Sequence, residues 1–371
     1  YPSGGSYRSP YIFTDLDGDE EAEAVVFYTV ENEPLVYLQI LDHTEGRWRA
    51  HNALPGTEGE VLFVDFRHLS GDDATDLLVG WREPDRDFDT LYLYRYREGS
   101  LTEEFHVSCD GVAIGDFTGD GAEELICATL DGGVTLQLIG WGGTGISVLD
   151  SAYSSLRLQT ITGSVTGRIE EALPGTVFSG RINAEMSASV LVGVQSGRLV
   201  LPQEDTFTGY SETYCYSGAS PADINNDGIV EVPWSNAVPG ISAGSREDTR
   251  YFTEYRALQN GSYTTIAACY QNTADGWRLI LPEGLYELYW QNGLTLTRQA
   301  ETREVVFRQY TGHLNENGRE YLRLRVTAGN ETAPEGYTLL NSRGQFSYYA
   351  SIPLGSPLSM AEVEQNFSLL G

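Results

Sequence analysis

The sequence contains no lysine: all 23 of its basic residues are arginine, set against 53 Asp and Glu for a net charge of −30. Such a surface repels phosphate backbones and excludes ordinary nucleic-acid binding. Cysteine is scarce. Cys109, Cys127, Cys215 and Cys269 form no CxxC pair, so a zinc or thioredoxin-like site is disfavoured. Four cysteines in 371 residues are too few for a disulfide-dependent scaffold, although one or two bridges stay open. No apolar run approaches the roughly 20 residues of a membrane helix. Helical periodicity is nearly absent before residue 355. The five histidines, His43, His51, His68, His106 and His313, show no HExxH or paired spacing. Gly240-Ile-Ser-Ala-Gly244 matches G-x-S-x-G but lacks the strand and helix that a nucleophile elbow needs.

What is abundant is an Asp/Gly pattern. Asp15-Leu-Asp-Gly-Asp19 is followed by Glu23 and the apolar run Ala24–Tyr28. Asp116-Phe-Thr-Gly-Asp120 is followed by Glu124 and Leu125–Ala128, and Asp223-Ile-Asn-Asn-Asp227 by Glu231 and Val232–Trp234. Oxygen-bearing side chains fall at loop positions one, three, five and nine. Two degenerate copies lie between them: His68-Leu-Ser-Gly-Asp72 with Asp76, and Arg181-Ile-Asn-Ala-Glu185 with Ser189. The loops start at residues 15, 68, 116, 181 and 223, with successive spacings of 53, 48, 65 and 42. An apolar run precedes and follows each loop. Alternating segments such as Leu35–Ile40, Leu91–Arg95 and Val134–Leu138 come next, then a more polar strand such as Arg47–Ala53 or Leu101–Ser108. Four short strands per repeat of this length predict a mainly β chain and a β-propeller. Five blades are favoured, with six or seven open because 155–176 reads as irregular.

Short acidic side chains at alternate positions of one loop can converge on a hard cation that takes six to eight oxygens. The expected ligands are Asp15, Asp17, Asp19 and Glu23 in the first loop, Asp116, Thr118, Asp120 and Glu124 in the second, and Asp223, Asn225, Asp227 and Glu231 in the third. The position-seven backbone carbonyls of Glu21, Ala122 and Ile229 complete each set. The cation expected is calcium, structural, at two or three sites. His68 and Arg181 at position one argue against metal in the degenerate copies.

These loops resemble the FG-GAP/VCBS repeat family, which includes the calcium-bearing propeller blades of integrin alpha-subunits. The resemblance covers most of residues 9–270. It implies that each loop joins the first and second strands of a blade and binds calcium structurally. Glu replaces the family's usual Asp at position nine, and Thr118 weakens the loop at 116. The resemblance further implies an extracellular or cell-surface location of the bacterial lipoprotein type.

The expected domains are a tether remnant at 1–8, rich in Gly, Ser and Tyr, a propeller at 9–270, and a small α+β domain at 271–371. The chain begins at Tyr1 without Met and reads as a mature or trimmed form. The last domain carries strand candidates at 277–281, 294–298, 303–309, 321–326 and 346–352. It ends in a helix introduced by the capping box Ser359-Met-Ala-Glu362, with Leu358 and Val363 as its hydrophobic staple. The expected function is non-catalytic binding, adhesion or scaffolding, with a surface glycan or protein as ligand. Tyr28, Trp81, Trp141 and Trp234 are the candidate aromatic platform. Acids are abundant enough that a carboxylate pair on a propeller, in a polysaccharide-active enzyme, is the alternative.

Overall fold

The computed structural model describes residues 4–370 apart from 6, 8, 45, 52, 57–59, 70–74, 83–88, 98, 203–211, 217, 242–250, 313–317 and 330. Most of the tether segment 1–8, Asp72 of the second loop, Ser242 of the G-x-S-x-G motif and His313 lie outside the described residues.

The chain is mainly β, as its composition and patterning predict. Two compact units can be separated: residues 1–181 with 190–209, and residues 182–189 with 210–371. Every strand pairing described is antiparallel except that of β1 (Gly4–Gly5), which runs parallel to a strand of the second sheet.

In the first unit, one sheet runs in chain order through β2 (Tyr11–Thr14), β3 (Glu23–Thr29), β4 (Val36–Thr44) and β5 (Arg47–Ala50), with β6 (Leu54–Pro55) also pairing with β4. The second runs through β7 (Glu60–Arg67), β8 (Asp76–Arg82), β9 (Thr90–Arg97) and β10 (Ser100–Ser108), with β1 beside β7. The third contains β11 (Gly111–Gly115), β12 (Glu124–Leu130), β13 (Val134–Trp141) and β14 (Ile146–Ser154). The fourth contains β15 (Thr160–Glu170), β16 (Leu173–Arg181), β17 (Ser187–Gln195) and β18 (Arg198–Val200), with the first three residues of β17 counted in the second unit. The stretch expected to be irregular is therefore a long hairpin, its Gly- and Thr-rich composition having hidden the strand.

The strands after the first four loops are buried along most of their length, as β8 and β12 illustrate, whereas β19 after the fifth is buried only at Val232 and Pro233. This explains why these segments read as unbroken apolar runs rather than alternating ones. Side chains of neighbouring sheets share cores. Leu16, Val25, Phe27 and Leu38 of the first sheet's region pack with Val64, Leu77, Val79 and Trp81 of the second. Leu78 and Leu93 pack in turn with Leu125, Cys127 and Ile139 of the third.

In the second unit, the fifth sheet runs through β19 (Val232–Ala237), β20 (Tyr251–Gln259), β21 (Ser262–Asn272) and β22 (Trp277–Ile280). Helix α1 (Glu283–Trp290) follows. The sixth sheet contains β23 (Leu294–Gln299), β24 (Glu304–Gln309), β25 (Glu320–Ala328), β26 (Thr338–Arg343) and β27 (Phe346–Ser351), with β27 lying between β25 and β26. Helix α2 (Met360–Asn366) then leads into β28 (Phe367–Leu369), which returns to pair with β22.

Three expectations are corrected here. The division at residue 270 falls inside β21, and one core joins Phe252, Tyr270 and Trp277 to Leu296, Phe307, Leu324 and Val363. Helix α1 is an element that periodicity missed. It is eight residues long, carries Gly284 and three aromatics, and has no side-chain cap. The terminal helix keeps its capping box, Ser359 Oγ accepting from the Glu362 amide and Glu362 from the Ser359 amide. Although Val363, Phe367 and Leu370 are spaced to share one helical face, the helix ends at Asn366 and Phe367 enters strand β28. No helix among the described residues is long and apolar enough to cross a membrane.

Candidate metal centres in the Asp loops

The three strong loops share one backbone shape. Residues 15–22 join β2 to β3, and 116–123 join β11 to β12. Residues 223–230 lie between Ala222 and Glu231, which bridge each other ahead of β19. Positions four and six are left-handed in all three: Gly18 and Glu20 (φ 83° and 72°), Gly119 and Gly121 (77° and 91°), Asn226 and Gly228 (60° and 83°). Glycine and asparagine suit that region, and Glu20 is the exception.

This shape is fixed by the acids themselves. Asp15 accepts the amides of Gly18 (2.7 Å) and Glu20 (3.0 Å). Asp116 accepts those of Gly119 (2.7 Å) and Gly121 (3.0 Å), and Asp223 those of Asp227 (3.0 Å) and Gly228 (2.8 Å). The position-five carboxylates of Asp19, Asp120 and Asp227 take the amides of Glu21, Ala122 and Ile229 at 2.7–2.9 Å. The Glu21 side chain also lies 3.0 Å from His43 Nδ1. One carboxylate oxygen each from Asp15, Asp17 and Asp19 lie within 4.8 Å of one another, as do those from Asp116, Asp120 and Glu124. In the third loop Asn225 Nδ2 donates to Asp227 Oδ2 at 2.8 Å, an amide standing where the first loop has an acid.

The position-nine glutamates are the least expected part. Glu23, Glu124 and Glu231 are buried. Each uses Oε2 to accept the amide of position two: Leu16 (2.7 Å), Phe117 (2.8 Å) and Ile224 (2.8 Å). Glu124 Oε1 accepts from the Thr118 hydroxyl at 2.8 Å. Glu23 Oε1 and Glu231 Oε1 are buried and have no hydrogen-bond partner. Burial, followed by the neighbouring aspartates, pushes Glu23 and Glu231 up to about 7, against the opposing pull of the position-two amides. Glu124 is also raised, chiefly by burial. Asp17 is raised by burial and then by Asp19. An orphaned buried carboxylate oxygen is costly, and either a proton or a bound cation would relieve it. Asp15, Asp17 and Asp19 in the first loop, and Asp116, Asp120 and Glu124 in the second, are the acids whose oxygens the fold brings together, and every donor among them is oxygen. Such a set fits a hard divalent ion.

The degenerate copies are built differently. Asp76 is buried and accepts the Leu69 amide at 2.9 Å, the same staple. Its charge is met by Arg95, itself 4% exposed, with Nε 2.9 Å from Asp76 Oδ1. A guanidinium thus occupies the role a cation would have. The sequence signal for it was a charge inside the apolar alternation of β9. In the fourth copy Ser189 binds Thr213 Oγ1 at 3.0 Å, and Asn183 Oδ1 accepts the amides of Glu185 and Met186.

The four candidate platform aromatics differ in burial. Trp81 is 1% exposed and packs edge-on against Phe27, so it belongs to the core. Tyr28 is half-buried and stacks on Tyr37, with ring centroids 5.4 Å apart. Trp234 is half-buried beneath Arg256, whose guanidinium carbon lies 3.7 Å from the ring. Trp141 is 45% exposed. The position offset that grouped them counted residues along strands and could not count burial.

No family model matches the chain, and no curated protein matches it. Among solved structures, the rhamnogalacturonan lyase YesW is 12% identical over 72% of this chain and 67% of its own, with a TM-score of 0.34. The exotype rhamnogalacturonan lyase YesX is 15% identical over 82% of this chain and 60% of its own, with a TM-score of 0.33. Sqt1 of Chaetomium thermophilum, solved bound to the N-terminus of the ribosomal protein L10, is 7% identical over 90% and 93% of the two chains, with a TM-score of 0.35. At such scores these likenesses carry no argument about fold or function.

Proposed function

We propose that this chain is an exported, calcium-stabilised binding or scaffolding protein of the FG-GAP/VCBS propeller type, displayed at a cell surface and engaging a glycan or protein. On this reading the first five sheets are blades and the sixth sheet with its helices is a C-terminal addition. The observation that carries the reading is the pair of orphaned buried oxygens, Glu23 Oε1 and Glu231 Oε1, in loops already crowded with acids. Three loops of one shape, repeated between successive strands, support it. Calcium fits better than magnesium because the loops offer many protein oxygens, whereas magnesium keeps its waters. Millimolar extracellular calcium saturates even weak sites of this kind.

The test is a thermal melt of EDTA-stripped protein, repeated with calcium and then magnesium restored. A ligand of the native state at a hundredfold its dissociation constant adds about 2.7 kcal/mol. A large calcium-specific rise in Tm, with two or three ions bound per chain, is expected. Equal melts in EDTA, calcium and magnesium would remove the metal and with it the main support for an extracellular location.

A further inference from the structure

We propose that a cavity in the second unit binds a small, hydroxyl-rich carboxylate of the sugar-acid class, held by Arg278 and Arg343. The cavity measures about 610 Å³, within the usual range for small-molecule sites. Arg278 stands on β22, between its cross-strand neighbours Gln271 on β21 and Ser368 on β28. Arg343 reaches in from the end of β26. Gln271, Thr273, Ser220 and Tyr255 add polar atoms to the lining.

The charges are the argument. Arg67, Arg256, Arg298, Arg303, Arg308 and Arg323 each have a carboxylate within 3.4 Å. Arg278 and Arg343 have none among the described residues; exposed arginines such as Arg49 and Arg198 share that, but Arg278 and Arg343 line one cavity, in a chain of net charge −30. Arg278 donates from Nη1 to Tyr255 Oη at 3.2 Å, and its Nε is buried without a partner. Arg343 donates from Nη1 to the Leu370 carbonyl. Tyr255, 2% exposed, holds the Arg278 fork in place. Two guanidiniums line one cavity without a carboxylate to neutralise them, and the planar fork of each matches a carboxylate. The acidic field of the whole chain disfavours multiply charged guests more than a monoanion. The neutral amide and hydroxyls of Gln271, Thr273 and Ser220 are suited to a guest that carries hydroxyls beside its carboxylate. This deepens the binding reading above by naming a ligand class, yet it stands on residues outside the Asp loops.

The test is calorimetric titration of the full chain, in calcium, with glucuronate, glucose and inorganic phosphate. Glucuronate is expected to bind one per chain, with glucose and phosphate at least tenfold weaker. Arg343→Gln and Arg278→Gln should each weaken glucuronate at least tenfold, Arg278→Lys less, while Arg49→Gln on the exposed strand β5 changes nothing. Arg343 is exposed, so its variant keeps the test open if Arg278→Gln fails to fold. Glucose matching glucuronate, unchanged affinity in Arg343→Gln, or phosphate binding more tightly than glucuronate would each overturn the proposal. Calcium-dependent melts on the same samples separate its failure from failure of the metal reading.

Discussion

Glu20 adopts a left-handed conformation that its counterparts Gly121 and Gly228 adopt without a Cβ. Such a residue costs roughly 1–2 kcal/mol. Glu20→Gly should therefore raise stability by about 1 kcal/mol, read as a higher urea midpoint at unchanged slope; a lower midpoint would mean that the Glu20 side chain makes up for its backbone. Arg95 presents the opposite case. Removing one partner of a buried ion pair costs about 3–5 kcal/mol because the other charge stays buried. Arg95→Met should lose that much, and adding Asp76→Asn should restore part of it in a double-mutant cycle. If the double variant were no more stable than the single, the Asp76–Arg95 pair would not be what holds this loop. Trp81→Ala should cost about 3–5 kcal/mol as a core truncation, visible in denaturation rather than in ligand affinity.

At the scale of the element, the Asp loop was readable because its information is local. Positions one, three and five sit within five residues, and the glycines that let the backbone turn lie among them. The burial of position nine was not readable, since it depends on what the next strand packs against. The sequence placed Glu23, Glu124 and Glu231 as the residues closing the loop. The structure adds that each staples the position-two amide and that two of them leave an oxygen stranded. Helix α1 and strand β15 escaped for a related reason: in short or Gly- and Thr-rich segments local preference is weak and tertiary packing decides. Arg278 and Arg343 are 65 positions apart and converge only through β22, β26 and β28.

The loops also set a pH dependence. Glu23 and Glu231 have folded values of about 7, above the ordinary 4.5. A raised carboxyl binds more protons folded than unfolded, so the contribution of these two groups to metal-free protein is fully present below about 4.5 and is lost as pH rises through about 7. In EDTA, Tm should fall between pH 5 and 7.5. In saturating calcium the fall should flatten or reverse, because the ion takes the deprotonated form. A Tm in EDTA that climbs over this interval would contradict the burial assigned to these two side chains.

At the scale of the whole molecule, the four cysteines report global integrity. All are buried free thiols, and burial pushes Cys269 up to about 12. Cys127 is raised as well, first by its hydrogen bond with Cys109 and then by burial. Cys127 and Cys269 therefore offer little thiolate to react, and burial shields Cys109 and Cys215. A thiol reagent should leave native, calcium-loaded protein unlabelled and modify four sites in guanidinium, with EDTA shortening the native lag. Prompt labelling of the native protein would show that these cores open locally without unfolding.

The pairing of β28 with β22 orders events in time. Ribosomes release a chain from its N-terminus, and domains fold as they emerge. Trp277–Ile280 can form early, but its outer backbone groups find their partners only when Phe367–Leu369 arrives. Until then β22 is an open edge of the kind that recruits foreign strands. The fifth sheet is therefore completed last, after the sixth has been synthesised, and a polypeptide interrupted before Phe367 would carry a self-associating margin that the finished one conceals.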